Sequence, residues 1–156
     1  MGAGQSPIVS DFVPAHNLLH LYNYSENHRI KAPDAVFTLM VDKKPLKVAL
    51  EMELTQKQKK RYVNLLEKYY TRIPVDLVFY VVGPEGLKKT ILDIGKEKLL
   101  ELSQRKVTSQ NKLYVTTLSS FKKLGLDSVF EGTTGKSFTL RELEKRTLKG
   151  QSLPQS

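Results

Sequence analysis

The sequence predicts an α/β fold with a mixed central sheet and helices on both of its faces. Leu46 to Leu54 alternates apolar and polar residues, as a strand with one buried face does. Val75 to Val82 is almost continuously apolar, which is typical of a central strand covered on both sides. Segments with helical spacing follow both strands. A strand–helix–strand order implies a crossover and a parallel pair of strands.

The N-terminal half is organised around a hairpin. His16 to Tyr24 fits an amphipathic helix or an apolar strand, and its periodicity leaves both open. Ala35 to Val41 is rich in residues that suit a pleated, buried surface, so it predicts a strand. Asp42 to Pro45 is polar and ends in proline, which predicts the hairpin connection to the strand Leu46 to Leu54.

A helix is predicted after this hairpin. Thr55 can cap its N-terminus, with Gln58 completing a capping box. Tyrosines and leucines recur at helical spacing up to about Tyr70, and this spacing predicts that they pack in the core. The first two turns carry cations, although the helix macrodipole disfavours positive charge there, and such conflicts often mark function. These cations are Lys57, Lys59, Lys60 and Arg61.

The C-terminal half contains weaker signals. Apolar residues from Leu87 to Leu100 predict helix, interrupted or capped near Gly95. Lys112 to Thr117 predicts a short strand, and Leu140 to Leu148 predicts a final helix. Gly132 to Ser137 reads Gly-Thr-Thr-Gly-Lys-Ser, which has too few residues between its glycines for a phosphate-binding loop, so it is interpreted as an ordinary loop.

The length of the chain favours one domain. A chain of 156 residues with 40% hydrophobic side chains can bury a substantial single core. We expect this domain to span residues 14–148. Residues 1–13 are predicted to be a flexible N-terminus and residues 149–156 a flexible tail.

The charge of the chain favours a polyanionic partner. It has 25 Lys and Arg against 16 Asp and Glu, a formal net charge of +9. Such an excess produces a positive field over a small surface, although surplus lysine also serves solubility. Cysteine is absent, so disulfides and thiolate zinc sites are excluded, and any metal would be a hard ion held by oxygen. The sequence has neither a signal peptide nor a membrane-spanning segment, which predicts a cytoplasmic protein.

Three carboxylates are the candidate metal ligands. Glu51 and Glu53 are neighbours on one strand face because successive side chains alternate. A hairpin can bring Asp34 beside them. Converging carboxylates can hold Mg²⁺ or Mn²⁺, and the adjacent cations can hold a phosphate backbone. Taken singly, these residues are also typical of a turn and of solvated strand and helix faces.

These motifs resemble those of the PD-(D/E)xK nucleases, which have the restriction-endonuclease-like fold. The similarity lies in Pro33-Asp34, in Glu51-x-Glu53 and in the basic segment that follows. More narrowly, residues 14–95 resemble the replication-relaxation family of plasmids and other mobile elements. Its motifs correspond to His16-Asn17-Leu18, to Ala32-Pro33-Asp34 and to Ala49 through Thr55 with Lys59, Arg61 and Tyr62.

The resemblance implies roles for individual residues. Asp34 and Glu51 occupy the positions of the Mg²⁺ ligands, whereas Glu53 stands where these nucleases have their characteristic lysine. Lys57 is then the best candidate for a relocated lysine that stabilises charge developing on the phosphate. Lys59 and Arg61 are weaker candidates. Glu53 would serve as a further metal ligand.

Three functions follow as hypotheses. The first is Mg²⁺-dependent cleavage or nicking of DNA, for which a homodimer would suit double-strand cutting. The second is a catalytically inactive DNA-binding module that supports plasmid replication or relaxation. The third is a protein-interaction domain. Relatives in the replication-relaxation family often carry a helix-turn-helix region, and no segment before His16 is long enough for one, so a separate DNA-recognition or replication protein is an expected partner.

Overall fold

The structure is a computed structural model that describes residues 9–14 and 33–152. Within these residues, seven strands form one mixed sheet in which every strand pairs with its neighbours in the chain. The first three strands are antiparallel, the third to fifth are parallel, and the last three are again antiparallel. The strands are β1 (Val9–Pro14), β2 (Ala35–Val41), β3 (Lys44–Glu53), β4 (Leu77–Val82), β5 (Leu113–Thr117), β6 (Val129–Gly132) and β7 (Ser137–Thr139).

Helices cover both faces of this sheet, so the predicted α/β class is confirmed. The described residues contain four α-helices: α1 (Lys59–Thr71), α2 (Glu85–Gln104), α3 (Leu118–Leu124) and α4 (Leu140–Ser152). Helices α1 and α2 bury their apolar residues on one face, against side chains such as Ala49 and Val78. On the other face, Leu140 and Leu143 of α4 pack with Phe37, Phe79 and Phe130.

The predicted hairpin is present, but its turn is shorter than expected. Val41 already pairs with Lys44, so only Asp42 and Lys43 lie between the two strands. Both have positive φ, 50° and 66°, as the central residues of a type I′ turn require. Pro45 is part of β3 rather than of the turn. The alternation predicted for β3 is confirmed, because Val48 lies in the core of the α4 face and Ala49 in that of the α1 and α2 face.

The helix predicted to be interrupted near Gly95 runs without a break from Glu85 to Gln104. Gly95 is buried where α2 crosses the sheet. A Cβ atom there would lie 2.6 Å from a side-chain carbon of Leu113 and 3.1 Å from Thr133. This glycine therefore permits close packing of the helix rather than ending it.

Regular secondary structure extends into both of the chain ends that were predicted to be flexible. Residues 9–13 belong to β1, which pairs with β2 through a register shift beside Asp11. This irregular edge strand lacks the clean alternation by which strands are recognised. At the other end, α4 extends to Ser152 and includes part of the predicted tail 149–156. The ambiguous segment His16 to Tyr24 lies outside the described residues.

The residues that directly follow β3 and β4 are in contact with each other. The Gly83 amide donates a hydrogen bond to the Glu53 carbonyl at 2.9 Å. A Cβ atom on Gly83 would lie 2.5 Å from the Leu54 carbonyl oxygen, which is closer than real side chains come. The two chain segments therefore leave the sheet in contact. In the part of the chain that the structure describes, no helix is both long and apolar enough to cross a bilayer.

Candidate carboxylate site and basic helix terminus

The residues predicted to be functional lie at the edge where the three parallel strands end. Glu53 is in register with Val82, and Val82 is in register with Thr117, so β3, β4 and β5 end side by side. In open α/β sheets, ligands commonly bind beyond the carboxyl ends of the parallel strands. The position of Glu51 and Glu53 near this edge agrees with that general pattern.

Glu51 is a buried carboxylate held by helix α1. Its side chain is on the face covered by α1 and α2, and the residue is only 2% exposed. The Tyr69 hydroxyl donates a hydrogen bond to Glu51 Oε2 at 2.9 Å. A carboxylate removed from water is costly unless such donors compensate it. This contact joins the last turn of α1 to the end of β3.

Asp34 is bound to the backbone of the neighbouring strand. Its amide donates to the Leu50 carbonyl at 3.0 Å, and its Oδ2 accepts a hydrogen bond from the Met52 amide at 2.7 Å. Met52 lies between the two glutamates in the sequence. These bonds place Asp34 beside β3, as the hairpin predicted.

Glu53 and Lys57 form an ion pair with Lys57 Nζ 3.5 Å from Glu53 Oε1. Lys57 was predicted to lie one turn into the helix, which is wrong because α1 begins at Lys59. The predicted capping box is also absent: Gln58 is the N-cap and makes no side-chain cap hydrogen bond. The Lys57 amide lies ahead of the helix and donates a hydrogen bond to the Tyr62 hydroxyl at 2.7 Å.

Tyr80 is the buried centre of this group of acidic residues. It is directly opposite Glu51 in the parallel register of β3 and β4. Its hydroxyl is buried and has no hydrogen-bond partner among the described residues. Burial raises the pKa of Tyr80 well above its ordinary value, and the charges of Glu51, Glu53 and Asp34 raise it further. All three predicted carboxylates therefore disfavour ionisation of the same hydroxyl.

The present arrangement of the carboxylates does not fit a bound metal ion. Their oxygen chemistry suits Mg²⁺ or Mn²⁺. However, Asp34 accepts from a backbone amide, Glu51 from Tyr69, and Glu53 pairs with Lys57. Within the described ranges, no group of three or more histidine, aspartate or glutamate side chains is arranged to hold a metal. The acidic groups are instead satisfied by contacts within the protein.

The N-terminus of α1 is basic and open to solvent. Lys59, Lys60 and Arg61 are all exposed, and the first turn contains no acidic residue. Lys59 Nζ lies 4.0 Å from a carboxylate oxygen of Glu97, and both side chains are largely exposed. Neither Lys60 nor Arg61 forms an ion pair with another of the described residues. Backbone amides at a helix N-terminus and adjacent cations both attract phosphate.

The structure adds residues that the sequence interpretation missed. Lys68 and Arg72 continue a stripe that begins at Lys60 and passes through Asn64. Spacings of four residues place these side chains on one face of a helix. Asn64, Lys68 and Arg72 line a shallow cavity of about 510 Å³ together with Arg105, the residue that follows α2. The i, i+4 repeat was the signal that could have revealed this stripe.

Tyr69 and Tyr80 were also missed as parts of the site. The helical spacing predicted Tyr69 to be a core residue, and it is buried, but its hydroxyl also binds Glu51. Tyr80 lies in an almost wholly apolar strand. The spacing of apolar residues predicts whether the ring of a tyrosine is buried, but it does not predict which group its hydroxyl contacts.

The chain thus has a mixed-sheet α/β fold with an acidic, tyrosine-lined site beside a basic helix terminus. Comparisons with protein-family models, curated proteins and solved structures found no match.

We predict that Tyr69→Phe lowers the free energy of unfolding by about 1–3 kcal/mol, because it removes a hydrogen bond from a buried carboxylate. Tyr70→Phe is the matched control. The Tyr70 hydroxyl is buried without a partner among the described residues, so its removal should be neutral or slightly stabilising. Urea unfolding of both variants measures the difference. Equal losses of stability would contradict a specific role for the Tyr69–Glu51 contact.

We also predict that stability falls above about pH 10. Burial raises the pKa values of Tyr62, Tyr70 and Tyr80 in the folded state. The unfolded chain then releases these protons at a lower pH than the folded chain does. The free energy of unfolding is therefore unaffected by these tyrosines below the pKa of an unfolded tyrosine, and it decreases as the pH rises from that value towards the higher pKa values of the folded state. Denaturant unfolding as a function of pH should give a shallower decline for Tyr80→Phe. An unchanged pH dependence would be inconsistent with this linkage.

Proposed function

We propose that this chain is a non-catalytic DNA-binding module with a restriction-endonuclease-like core, acting in the replication or relaxation of plasmids and other mobile elements. The observation that carries the proposal is the exposed basic N-terminus of α1 beside carboxylates that already have partners within the protein. The family assignment rests on the sequence resemblance.

The distribution of charge supports binding to a phosphate backbone. The chain has an excess of nine positive charges, and Lys59, Lys60 and Arg61 lie together at one helix end. Arg72 extends the same helix surface to its other end. An extended basic surface without a deep cavity suits a polyanion better than a small substrate.

The contacts of the acidic site favour binding over catalysis. Glu53 stands at the position of the lysine in the PD-(D/E)xK motif, and Lys57, the best candidate for a relocated lysine, pairs with it. Glu51 is nearly inaccessible to solvent and is bound by Tyr69. These residues are well placed to fix α1 against the sheet, which would hold the basic helix terminus in a constant orientation.

Metal-dependent cleavage of DNA is the second candidate. It is favoured by the convergence of Asp34, Glu51 and Glu53 around Tyr80, with Lys57 beside them. In this alternative Asp34 and Glu51, with Glu53, would hold Mg²⁺ or Mn²⁺. Both candidates imply a cytoplasmic protein, and both are compatible with a homodimer or with a separate DNA-recognition or replication protein as partner.

We predict that replacing Lys59, Lys60 and Arg61 together by glutamine weakens binding to duplex DNA. It should also reduce the magnitude of the salt dependence, d log K/d log[salt], by about 0.9 for each phosphate that the variant no longer neutralises. Fluorescence anisotropy of a labelled duplex at several salt concentrations measures both effects. The matched control replaces Lys44, Lys136 and Lys145, which are also exposed but lie away from α1.

The control removes the same charge, so it separates a local contact from the effect of net charge. A specific surface on α1 requires a larger decrease in affinity in the α1 variant. Equal decreases would argue for diffuse attraction only. DNA binding too weak to show any steep salt dependence in the unmodified protein would favour the protein-interaction alternative.

We predict that the protein leaves supercoiled plasmid intact with Mg²⁺ or Mn²⁺, as it does with EDTA. The comparison includes Asp34→Asn/Glu51→Gln, which removes two carboxylate charges while keeping the side-chain shapes. The amide oxygens of asparagine and glutamine can still accept hydrogen bonds from the Met52 amide and the Tyr69 hydroxyl, so α1 should keep its orientation and the variant should bind DNA nearly as the unmodified protein does. Metal-dependent nicking or linearisation that disappears in the variant would instead establish the nuclease function and its site together.

A further inference from the structure

Apolar side chains are exposed at the edge where the parallel strands end. Strands β3, β4 and β5 end side by side there, and β6 begins there because it is antiparallel to β5. Of the seven large hydrophobic residues that are exposed in the described part of the chain, five belong to this edge. They are Met52, Leu54, Phe121, Leu124 and Val129. Such a concentration on one surface is typical of an interaction site.

Helix α3, which directly follows β5, carries two of these residues. None of its residues is buried, although a helix in a folded domain normally buries one apolar face. Hydroxyl groups hold it in place instead. The Thr117 side chain accepts a hydrogen bond from the Ser120 amide at 3.1 Å, and the Ser120 and Ser128 hydroxyls are 2.8 Å apart. These bonds attach α3 to the ends of β5 and β6 and leave Phe121 and Leu124 exposed.

The charge on α3 is positive. Lys122 and Lys123 are exposed, and neither forms an ion pair with another residue of the described ranges. Asp127 is the only acidic residue between positions 118 and 128, and it pairs with Arg141 at 2.8 Å. An exposed aromatic ring flanked by cations is typical of surfaces that bind unpaired nucleotides, because bases stack on the ring while the cations contact the phosphates.

This surface lies beside the basic N-terminus of α1. Glu53, Val82 and Thr117 are in register across β3, β4 and β5. Neighbouring strands are about 4.8 Å apart, so the ends of β3 and β5 are separated by roughly 10 Å. Helix α1 begins shortly after β3, and α3 begins directly after β5. A strand of a few nucleotides is therefore long enough to contact both helices.

We propose that this edge binds single-stranded DNA, with a base stacked on Phe121 and phosphates in contact with Lys122 and Lys123. The inference rests on the proposed function, because the cations of α1 supply the remaining phosphate contacts. It narrows the ligand from DNA in general to unpaired DNA. The base faces of a single strand are accessible to an exposed ring, whereas those of a duplex are already stacked on each other.

The test measures fluorescence anisotropy with a labelled strand of about 20 nucleotides, which exceeds the usual site size, and with an abasic strand of the same length and the corresponding duplex. We expect the unmodified protein to bind the strand with bases more tightly than the abasic strand. Phe121→Ala should weaken binding to the strand with bases about fivefold, at the lower end of the range for a base stacked on an aromatic ring. Its affinity for the abasic strand and for the duplex should be unchanged.

Two conservative variants separate the ring from its apolar volume. Phe121→Tyr keeps a ring and should retain the affinity, whereas Phe121→Leu keeps an apolar side chain and should lose as much affinity as Phe121→Ala. Phe12→Ala is the matched control, because Phe12 is a more exposed phenylalanine on β1, four strands away from β5. Its binding curves should match those of the unmodified protein. Unfolding midpoints identify any variant that has lost its fold.

Lys122→Gln/Lys123→Gln provides an independent measurement. It should reduce the magnitude of the salt dependence for the single strand by about 0.7 for each phosphate that is no longer neutralised, with or without bases. An unchanged salt dependence would overturn the proposal. So would equal affinity of the unmodified protein for the strands with and without bases, or equal behaviour of Phe121→Ala and Phe12→Ala.

The experiment distinguishes this proposal from the function on which it rests. Equal losses of duplex affinity in the α1 variant and its charge control would overturn the proposed function and this inference with it. A larger loss in the α1 variant, with Phe121→Ala binding the strand with bases at full strength, would overturn this inference alone. Sedimentation with anionic lipid vesicles that is lost in Phe121→Ala would assign the surface to a membrane and also overturn it.

Discussion

The hydrogen bond from Tyr69 to Glu51 is the contact on which the arrangement of the site depends. It connects a helix and a strand that are covalently linked only by the irregular segment between residues 54 and 58. Because the acceptor is a buried carboxylate, the contact is worth more than an ordinary surface hydrogen bond. Together with the buried Tyr62, Leu65 and Leu66, it fixes the rotation of α1 about its own axis, and that rotation decides which of its side chains face the sheet and which face solvent.

Acidic and basic groups are consequently separated by the helix. Glu51 and the Tyr69 hydroxyl lie between α1 and the sheet, whereas Lys60, Arg61 and Arg72 lie on the exposed side of the helix. Lys57 is the exception, since its side chain returns to Glu53 while its amide binds Tyr62. A polyanion that approaches the exposed side of α1 would meet these cations first, because the nearby carboxylates are partly buried beneath the helix. This arrangement supports an attractive field at the surface despite the cluster of three nearby acids.

Much of the fold could be predicted because its central strands carry strong periodic signals. The alternation of Leu46 to Leu54 identified β3 and the common face of Glu51 and Glu53. The start of α1 could not be predicted from the capping pattern, because the Thr55 hydroxyl accepts from the Lys57 ammonium group and the Lys57 amide donates to the Tyr62 hydroxyl, so neither takes part in a cap. Strands β6 and β7 have four and three residues, too few for a period to be recognised. The direction of each tyrosine hydroxyl depends on packing between elements that are distant in sequence.

The order of the strands has a consequence for how the chain assembles. Each strand pairs with the one made just before it, so every addition extends the sheet at its newest edge. Among the strands that the structure describes, none must be inserted between two that have already paired, and no early strand must wait for a late partner. Such a topology keeps most loop closures short and suits folding that follows synthesis from the N-terminus. The crossovers through α1 and α2 are then the slowest closures, and unpaired β3 and β4 edges would be exposed to aggregation while these helices form.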